Sequence, residues 1–487
     1  MLDVLTESVL PLQAEGTHNG STSCADAQGN VPVKKVAMRL AALDIVRGFT
    51  VAVMIFVDDA GDSLQHINHA PWHGLNLADI VMPWFLFMVG NAMAFSLKIT
   101  TGSGRCAQLQ KLIIRAVKLF LLGLVLQGGG LPEATWETWG FNLATIRWCG
   151  ILQRIAFAYL VVGLTAMYVP RRPAAGTMLD LLHVYAWQWA VAALFAAMYL
   201  ILMLATPVGD WTVANTPNSI KHGIAGKVIK CDNVRGDWGV SCNAAGHYDR
   251  LLFGQPHLYQ PGEKVRLPEC STCSPGECWG KDPALQPTIC WAPFDPEGAV
   301  PCLMTVMTAF IGLHFGRAML LARAQPRAQR ALVGAWGVSV GVCAALGLLL
   351  IPAFPVNKQL WTPSYALVNA ALTGGALLLV YVACDVFELR AVVLLLKPFQ
   401  WMGMNALFVF VMAACGVFET LVDAVYLDDK EENNLTARIH HALEIWFPGS
   451  TTWDDHGVAN VIYVLLKVMF WLAVSGLLHR FKWYWKL

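Results

Sequence analysis

The feature that most constrains this chain is a series of ten apolar stretches of near-bilayer length, separated by polar segments. They cover 40–57, 75–97, 112–126, 150–169, 184–205, 299–321, 331–351, 363–384, 399–422 and 458–478. A helix needs about 20 apolar residues to cross a bilayer. Lipid satisfies no backbone polar group, so such runs fold as α-helices rather than as open strands. The expected fold is an all-α polytopic membrane protein, a bundle of about ten transmembrane helices. Composition agrees: 56% of the residues are hydrophobic and 14% charged, against roughly 25% charged in an ordinary soluble domain. A net charge of +1 gives no electrostatic case for a nucleic-acid partner. The bilayer is the partner that composition implies.

Lys and Arg are unevenly placed. Basic segments at 98–118, 171–172, 317–330, 390–397 and 479–486 all fall on one side of a ten-span chain. Basic residues mark the cytosolic side, so both termini are expected in the cytosol. Residues 1–38 read as a flexible cytosolic tail without a cleaved signal peptide. Residues 39–205 hold spans one to five, 206–298 form a lumenal loop, and 299–487 hold spans six to ten. The lumenal loop carries Cys231, Cys242, Cys270, Cys273, Cys278 and Cys290, with Cys302 just beyond. Cysteines this dense on a non-cytosolic face are expected to be disulfide-bonded. The Cys270/Cys273 pair lacks the second pair that a zinc ribbon requires.

The reactive side chains concentrate in 58–90. Here His66, His69 and His73, with Asp58, Asp59, Asp62 and Asp79, flank the second apolar run. The histidine spacing would share one face of a helix and could hold a metal, but Pro71 disfavours a helix there. Imidazole titrates near neutrality, so one of these histidines can serve as general base or nucleophile. Asp58 is the first candidate to fix its tautomer. Arg47 and Asp58 fall on nearly the same face of the first span, a polar stripe that belongs inside a bundle. A transporter would use such residues at mid-membrane. The set Asp44, Arg47, Asp79, Gln153, Arg154 and Asn405 keeps a carrier of a polar solute as the alternative function.

Several stretches in order resemble one family. They are Arg39-Leu40, Leu43-Asp44 and Arg47-Gly48; His69-Ala70-Pro71-Trp72, Gly74-Leu75 and Ala78-Asp79; and Gly150 through Arg154. Further on come Tyr248-Asp249-Arg250, His257-Leu258-Tyr259, Phe294 through Gly298, Asn357-Lys358, Leu360-Trp361, and Met402 through Leu407. Together they resemble the heparan-α-glucosaminide N-acetyltransferases, lysosomal-type transmembrane acetyltransferases, over about residues 39–487. The cysteine-rich loop is closer to plant and algal members. Relative to the animal pattern, a lumenal N-terminal domain and one span are not expected before residue 39, and Asp58 stands where the animal pattern has asparagine.

The resemblance implies an acetyl-CoA-dependent N-acetyltransferase of a lysosomal, vacuolar or other endomembrane. Acetyl passes from cytosolic acetyl-CoA to an amino group of a lumenal amino sugar or glycan. It implies His69 as the active histidine, nucleophile or general base, with Asp58 beside it. Arg47, Arg147, Arg154 and Lys358 are the cations expected to meet the donor. Asn357, Trp361 and Asn405 are expected to line the cofactor or the acceptor cavity. A homodimer is compatible with this reading.

Overall fold

The computed structural model describes residues 40–61, 64, 67–97, 103–127, 142–170, 180–259, 292–324, 329–428, 433–446 and 458–485. The expected cytosolic tail, His66, and cysteines 270, 273, 278 and 290 lie outside them. Each of the ten apolar runs is helical. In chain order the main helices are α1 (Ala41–Ala60), α2 (Leu77–Ser96), α3 (Ser103–Gln127), α4 (Ile151–Tyr168) and α5 (Ala186–Ala205). After a polar segment containing the short α6 (Ala244–Leu252) come α7 (Ala299–Ala324), α8 (Gln329–Leu349) and α9 (Pro363–Tyr381). The last third holds α10 (Arg390–Met404), α11 (Ala406–Ala414), α12 (Val417–Asp423), α13 (Leu435–Trp446) and α14 (Val458–Arg480). The molecule is an all-α polytopic membrane protein.

Fewer helices than the expected ten qualify as spans by themselves. Among the described residues seven are long and apolar enough to cross a membrane, and the α10–α11 pair, bent by 71°, makes an eighth. The remaining two runs are α1 and α3, of 20 and 25 residues. Charge sets them apart: α1 carries Asp44, Arg47, Asp58 and Asp59, and α3 carries Arg105, Lys111, Arg115 and Lys118. Such residues are costly against lipid and tolerable against protein. Consistently, Asp44 is buried and pairs with Arg47 at 3.3 Å.

Two close crossings fix the helices that flank the histidine loop. At the α1–α10 crossing, a Cβ on Gly48 would drive into the Phe399 carbonyl, and one on Gly403 into that of Asp44. At the α2–α7 crossing, Gly90 meets the Ala309 carbonyl and Gly312 that of Phe87 in the same way. Small residues let helix backbones approach in a membrane, where burial against lipid offers no comparable drive.

The loops at one end of the bundle pack together. Trp72 Nε1 donates to the Trp238 carbonyl at 2.7 Å, Gly74 N–H to that of Val356 at 2.8 Å, and the Trp72 ring meets Phe294 edge-on at 5.1 Å. Within the polar segment, strands β1 (Trp211–Thr212) and β2 (Val228–Ile229) pair antiparallel, and Cys231 is disulfide-bonded to Cys242. Cys302 is a free thiol.

Candidate active site

His69 is held by the start of α2. Asp79 is the third residue of that helix, where a carboxylate can reach back to the exposed N–H groups of the entering chain. Its Oδ2 accepts the N–H groups of Ala70 and Asn76, each at 3.0 Å, and its Oδ1 lies 2.8 Å from His69 Nδ1. Asp79 is 1% exposed, whereas the His69 side chain is 23% exposed. A carboxylate at Nδ1 fixes the tautomer with the proton on that nitrogen and the lone pair on Nε2. The tautomer-fixing role expected of Asp58 thus has a different hydrogen-bond partner. Asp58 sits in the last turn of α1 and lines a cavity with His69, while Asp79 makes the bond.

Lys358 approaches from the α8–α9 connection, its Nζ 3.1 Å from each ring nitrogen of His69. That connection is pinned from several sides. Asn357 donates to the Trp72 carbonyl at 2.9 Å and accepts from Leu360 N–H at 2.8 Å. Trp361, at φ 50°, is fully buried and donates through Nε1 to Thr308 Oγ1 at 3.1 Å. Tyr199 and Tyr365 donate to the carbonyls of Leu360 and Asp79 at 2.8 and 2.6 Å. Asn357 and Trp361 therefore reach the site through backbone and packing, and Lys358 through its charge.

Two arginines fasten the Phe294–Gly298 segment beside this site. Arg147 binds Asp295 at 2.6 and 2.8 Å and also pairs with Glu297. Burial opposes a carboxylate at Glu297, but Arg147, with Arg154 and Lys358, outweighs it and holds that carboxyl below its usual range. Arg154 is 1% exposed, donates to the Pro296 carbonyl at 2.9 Å and lies 5.1 Å from the Trp361 ring centroid. Behind the segment, Asp249 accepts Ala299 N–H at 2.8 Å while its Oδ2 finds no partner among the described residues. Burial pushes the Asp249 carboxyl up to about 7.

Two cavities meet at the histidine. The loop-side one, of about 180 Å³, is lined by His69, Trp72, Arg147, Tyr259, Glu297 and Lys358, among others. The second, of about 360 Å³, extends between helices and is lined by Asp58, Asp59, His69, Phe85, Gln153 and Lys467, among others. His69, Ile151 and Lys358 border both. An imidazole so placed can exchange a group or a proton with molecules on either side.

Of the residues singled out in the sequence, the fold brings His69, Lys358, Asn357, Trp361, Arg147 and Arg154 to one neighbourhood and puts Asp58 on the cavity wall. Two stand apart. Arg47 pairs with Asp44 in the first turns of α1, and Asn405, at the α10–α11 break, bonds the backbone of Trp483 and Trp485 at 3.1 Å. His73 lies 3.4 Å from the Asn357 amide, away from the Asp79 bond. Three features escaped the sequence reading: the bond from Asp79 to the histidine, the Asp295–Glu297 clamp on Arg147, and Lys467. Lys467 bridges Asp59, at 2.7 Å, and Glu419 across the bundle cavity. An isolated lysine in the apolar α14 was the available signal.

Comparison with known proteins finds similarity to that family. Residues 39–214 match the family model described as heparan-alpha-glucosaminide N-acetyltransferase, catalytic. The heparan-alpha-glucosaminide N-acetyltransferase of Mus musculus is 25% identical over 480 residues, covering 93% of this chain and 61% of the mouse protein. That of Homo sapiens is 26% identical over 476 residues, covering 92% and 60%. The chain thus spans about three fifths of the length of the relatives it matches.

Proposed function

We propose that this chain, a relative of the heparan-α-glucosaminide N-acetyltransferases, moves acetyl from acetyl-CoA to an amino group of an amino sugar or glycan across a membrane. The observation that carries the reading is His69, bonded to Asp79 and standing between two cavities. In this reading the acetyl thioester enters the bundle cavity from the cytosolic face. The amine enters the loop-side cavity from the lumen of an endomembrane compartment, lysosomal or vacuolar. The basic residues at the opposite helix ends support that orientation, with both termini cytosolic.

His69 is the residue that handles the acetyl group. As nucleophile, its Nε2 lone pair forms the bond to the carbonyl carbon while the carbon–sulfur bond breaks and CoA leaves as thiolate. The amine then attacks the same carbon, the carbon–Nε2 bond breaks with its electron pair returning to Nε2, and the proton the amine loses passes to that nitrogen and on to solvent. As general base, Nε2 instead receives that proton while the amine attacks the thioester directly. On either route Asp79 offsets positive charge on the ring, and the Lys358 ammonium, 3.1 Å from each ring nitrogen, would offset an oxyanion developing on the acetyl carbon. Asn357 and Trp361 keep Lys358 in place, and Arg147 and Arg154 hold the loop-side rim. Arg47 and Asn405, removed from the histidine, are assigned to the path of the donor's nucleotide end.

The test is turnover of acetyl-CoA by purified protein against a panel of amino sugars and glycans. His69→Ala should abolish transfer, a loss of about 10²–10⁴-fold for a base and more for an obligatory nucleophile. Labelled acetyl retained on His69 without an acceptor identifies the nucleophilic route; its absence in an active enzyme identifies the base. Near-full transfer by His69→Ala would overturn the enzyme reading and favour a carrier of polar solutes.

A further inference from the structure

The bundle cavity holds a polar pair that the proposed chemistry does not use. Gln127 closes α3 and Gln153 is the third residue of α4, so the two carboxamides meet where these helices converge. Gln153 Nε2 donates to Gln127 Oε1 at 3.1 Å, and both residues line the same cavity as His69 and Lys358. Their neighbours in that wall include Met82, Phe85, Leu126, Ile151 and Leu152. Gln153 is 6% exposed, and its Oε1 has no hydrogen-bond partner among the described residues. A buried amide oxygen left in such a wall is costly unless something supplies a donor.

The backbone leaves room for this arrangement. A Cβ on Gly123 would run into the Gln153 carboxamide, and one on Gly150 into that of Gln127. The two glycines make a cradle that a single methyl group would fill. The pair offers one unsatisfied acceptor beside several N–H donors, and it bears no charge. That suits neither a phosphate, which takes cations, nor an ammonium, which takes carboxylates. It suits a secondary amide, which needs one acceptor for its N–H and one donor for its carbonyl.

We infer that Gln127 and Gln153 form the binding element for the amide-bearing arm of acetyl-CoA. This rests on the acetyltransferase reading. The arm carries secondary amides behind the thioester, the first separated from sulfur by an ethylene unit. A thioester brought to His69 through the bundle cavity passes its arm along the wall that holds the pair.

The experiment uses the full chain and three acetyl donors: acetyl-CoA, S-acetylpantetheine, and an acetyl thioester of an alkyl thiol that lacks any amide. Wild type, Gln153→Leu and Gly123→Ala are compared; the last displaces the carboxamide without removing it. Both variants should lower kcat/KM for acetyl-CoA and S-acetylpantetheine relative to the amide-free donor by about tenfold, the size of one lost buried hydrogen bond. CoA affinity measured by calorimetry should fall in parallel. An unchanged donor ratio in both variants, whether all three donors suffer equally or none does, would overturn the assignment and leave the pair a structural contact or a water site. Failure of the wild type to bind CoA would overturn the acetyltransferase reading itself, so the two failures are told apart by the wild-type measurement.

Discussion

His69 Nδ1 lies 2.8 Å from Asp79 Oδ1, and the other oxygen of the same carboxylate caps the helix in whose first turn Asp79 stands. One side chain therefore both caps the start of α2 and orients the candidate catalytic ring. The entry geometry of a transmembrane helix and the tautomer of a histidine are coupled through it, with Ala70 N–H and Asn76 N–H holding the carboxylate against rotation.

Replacing that carboxylate separates its two duties. Asp79→Asn keeps a capping oxygen but can present N–H to His69 Nδ1, which favours the wrong tautomer. It should lower kcat by about 10²–10⁴-fold with a much smaller change in KM. Asp58→Asn should cost less, because Asp58 faces the cavity and not Nδ1. Steady-state kinetics of the two variants decide the matter; a larger loss for Asp58→Asn would make Asp58 the controlling carboxylate.

Arg154 is expected to act on stability before affinity. Its guanidinium is buried between the Pro296 carbonyl and the Trp361 ring. Arg154→Met should destabilise the protein by on the order of 3 kcal/mol, since it strips a buried charge cluster of one partner. A thermal melt alongside CoA titration checks this. A variant that melts like wild type yet loses CoA would make Arg154 a direct donor ligand.

The Asp249 carboxyl makes stability depend on pH. Burial raises its folded pKa to about 7, against about 3.9 for an unperturbed aspartate. The folded state therefore binds this proton more tightly than the unfolded state. The resulting stabilisation is complete below about pH 4 and is lost as pH rises through about 7. Wild type should lose melting temperature between pH 5 and pH 8 relative to Asp249→Asn. Parallel melts of the two proteins across that range test the sign.

The Cys231–Cys242 bond gives a fourth expectation. Removing it opens a short loop, for which the stabilisation is about 2–4 kcal/mol. Peptide mapping of non-reduced protein should recover the linked pair, and Cys231→Ser should lower the unfolding temperature of the 206–259 segment. Free thiols at both positions would refute the bond and weaken the lumenal placement of the loop.

Much of this was legible in one dimension. The spacing of apolar runs settled the helical bundle, because lipid leaves a chain no other way to satisfy its backbone over those lengths. The motif around His69-Ala70-Pro71-Trp72 carried the resemblance to the acetyltransferases and singled out the histidine that the fold places between two cavities. The asymmetry of Lys and Arg suggested an orientation, and the packing of the histidine loop, the 206–259 segment and the Lys358 loop at one end is compatible with it.

What the sequence could not decide was which charged groups answer one another. Asp58 and Asp79 are both within eleven residues of His69, and only the turn of the entering chain onto the first turn of α2 puts Asp79 at Nδ1. Lys358 is 289 positions from the histidine it touches, and Arg147 meets carboxylates 148 and 150 positions on. Helix spacing fixes the face on which a residue lies, not the loop that will meet it. Apolar periodicity by itself determined that this chain crosses a membrane as helices. The site was decided only when the glycine crossings brought those helices close enough for distant charges to meet away from water, where an unpaired charge is too costly to leave alone.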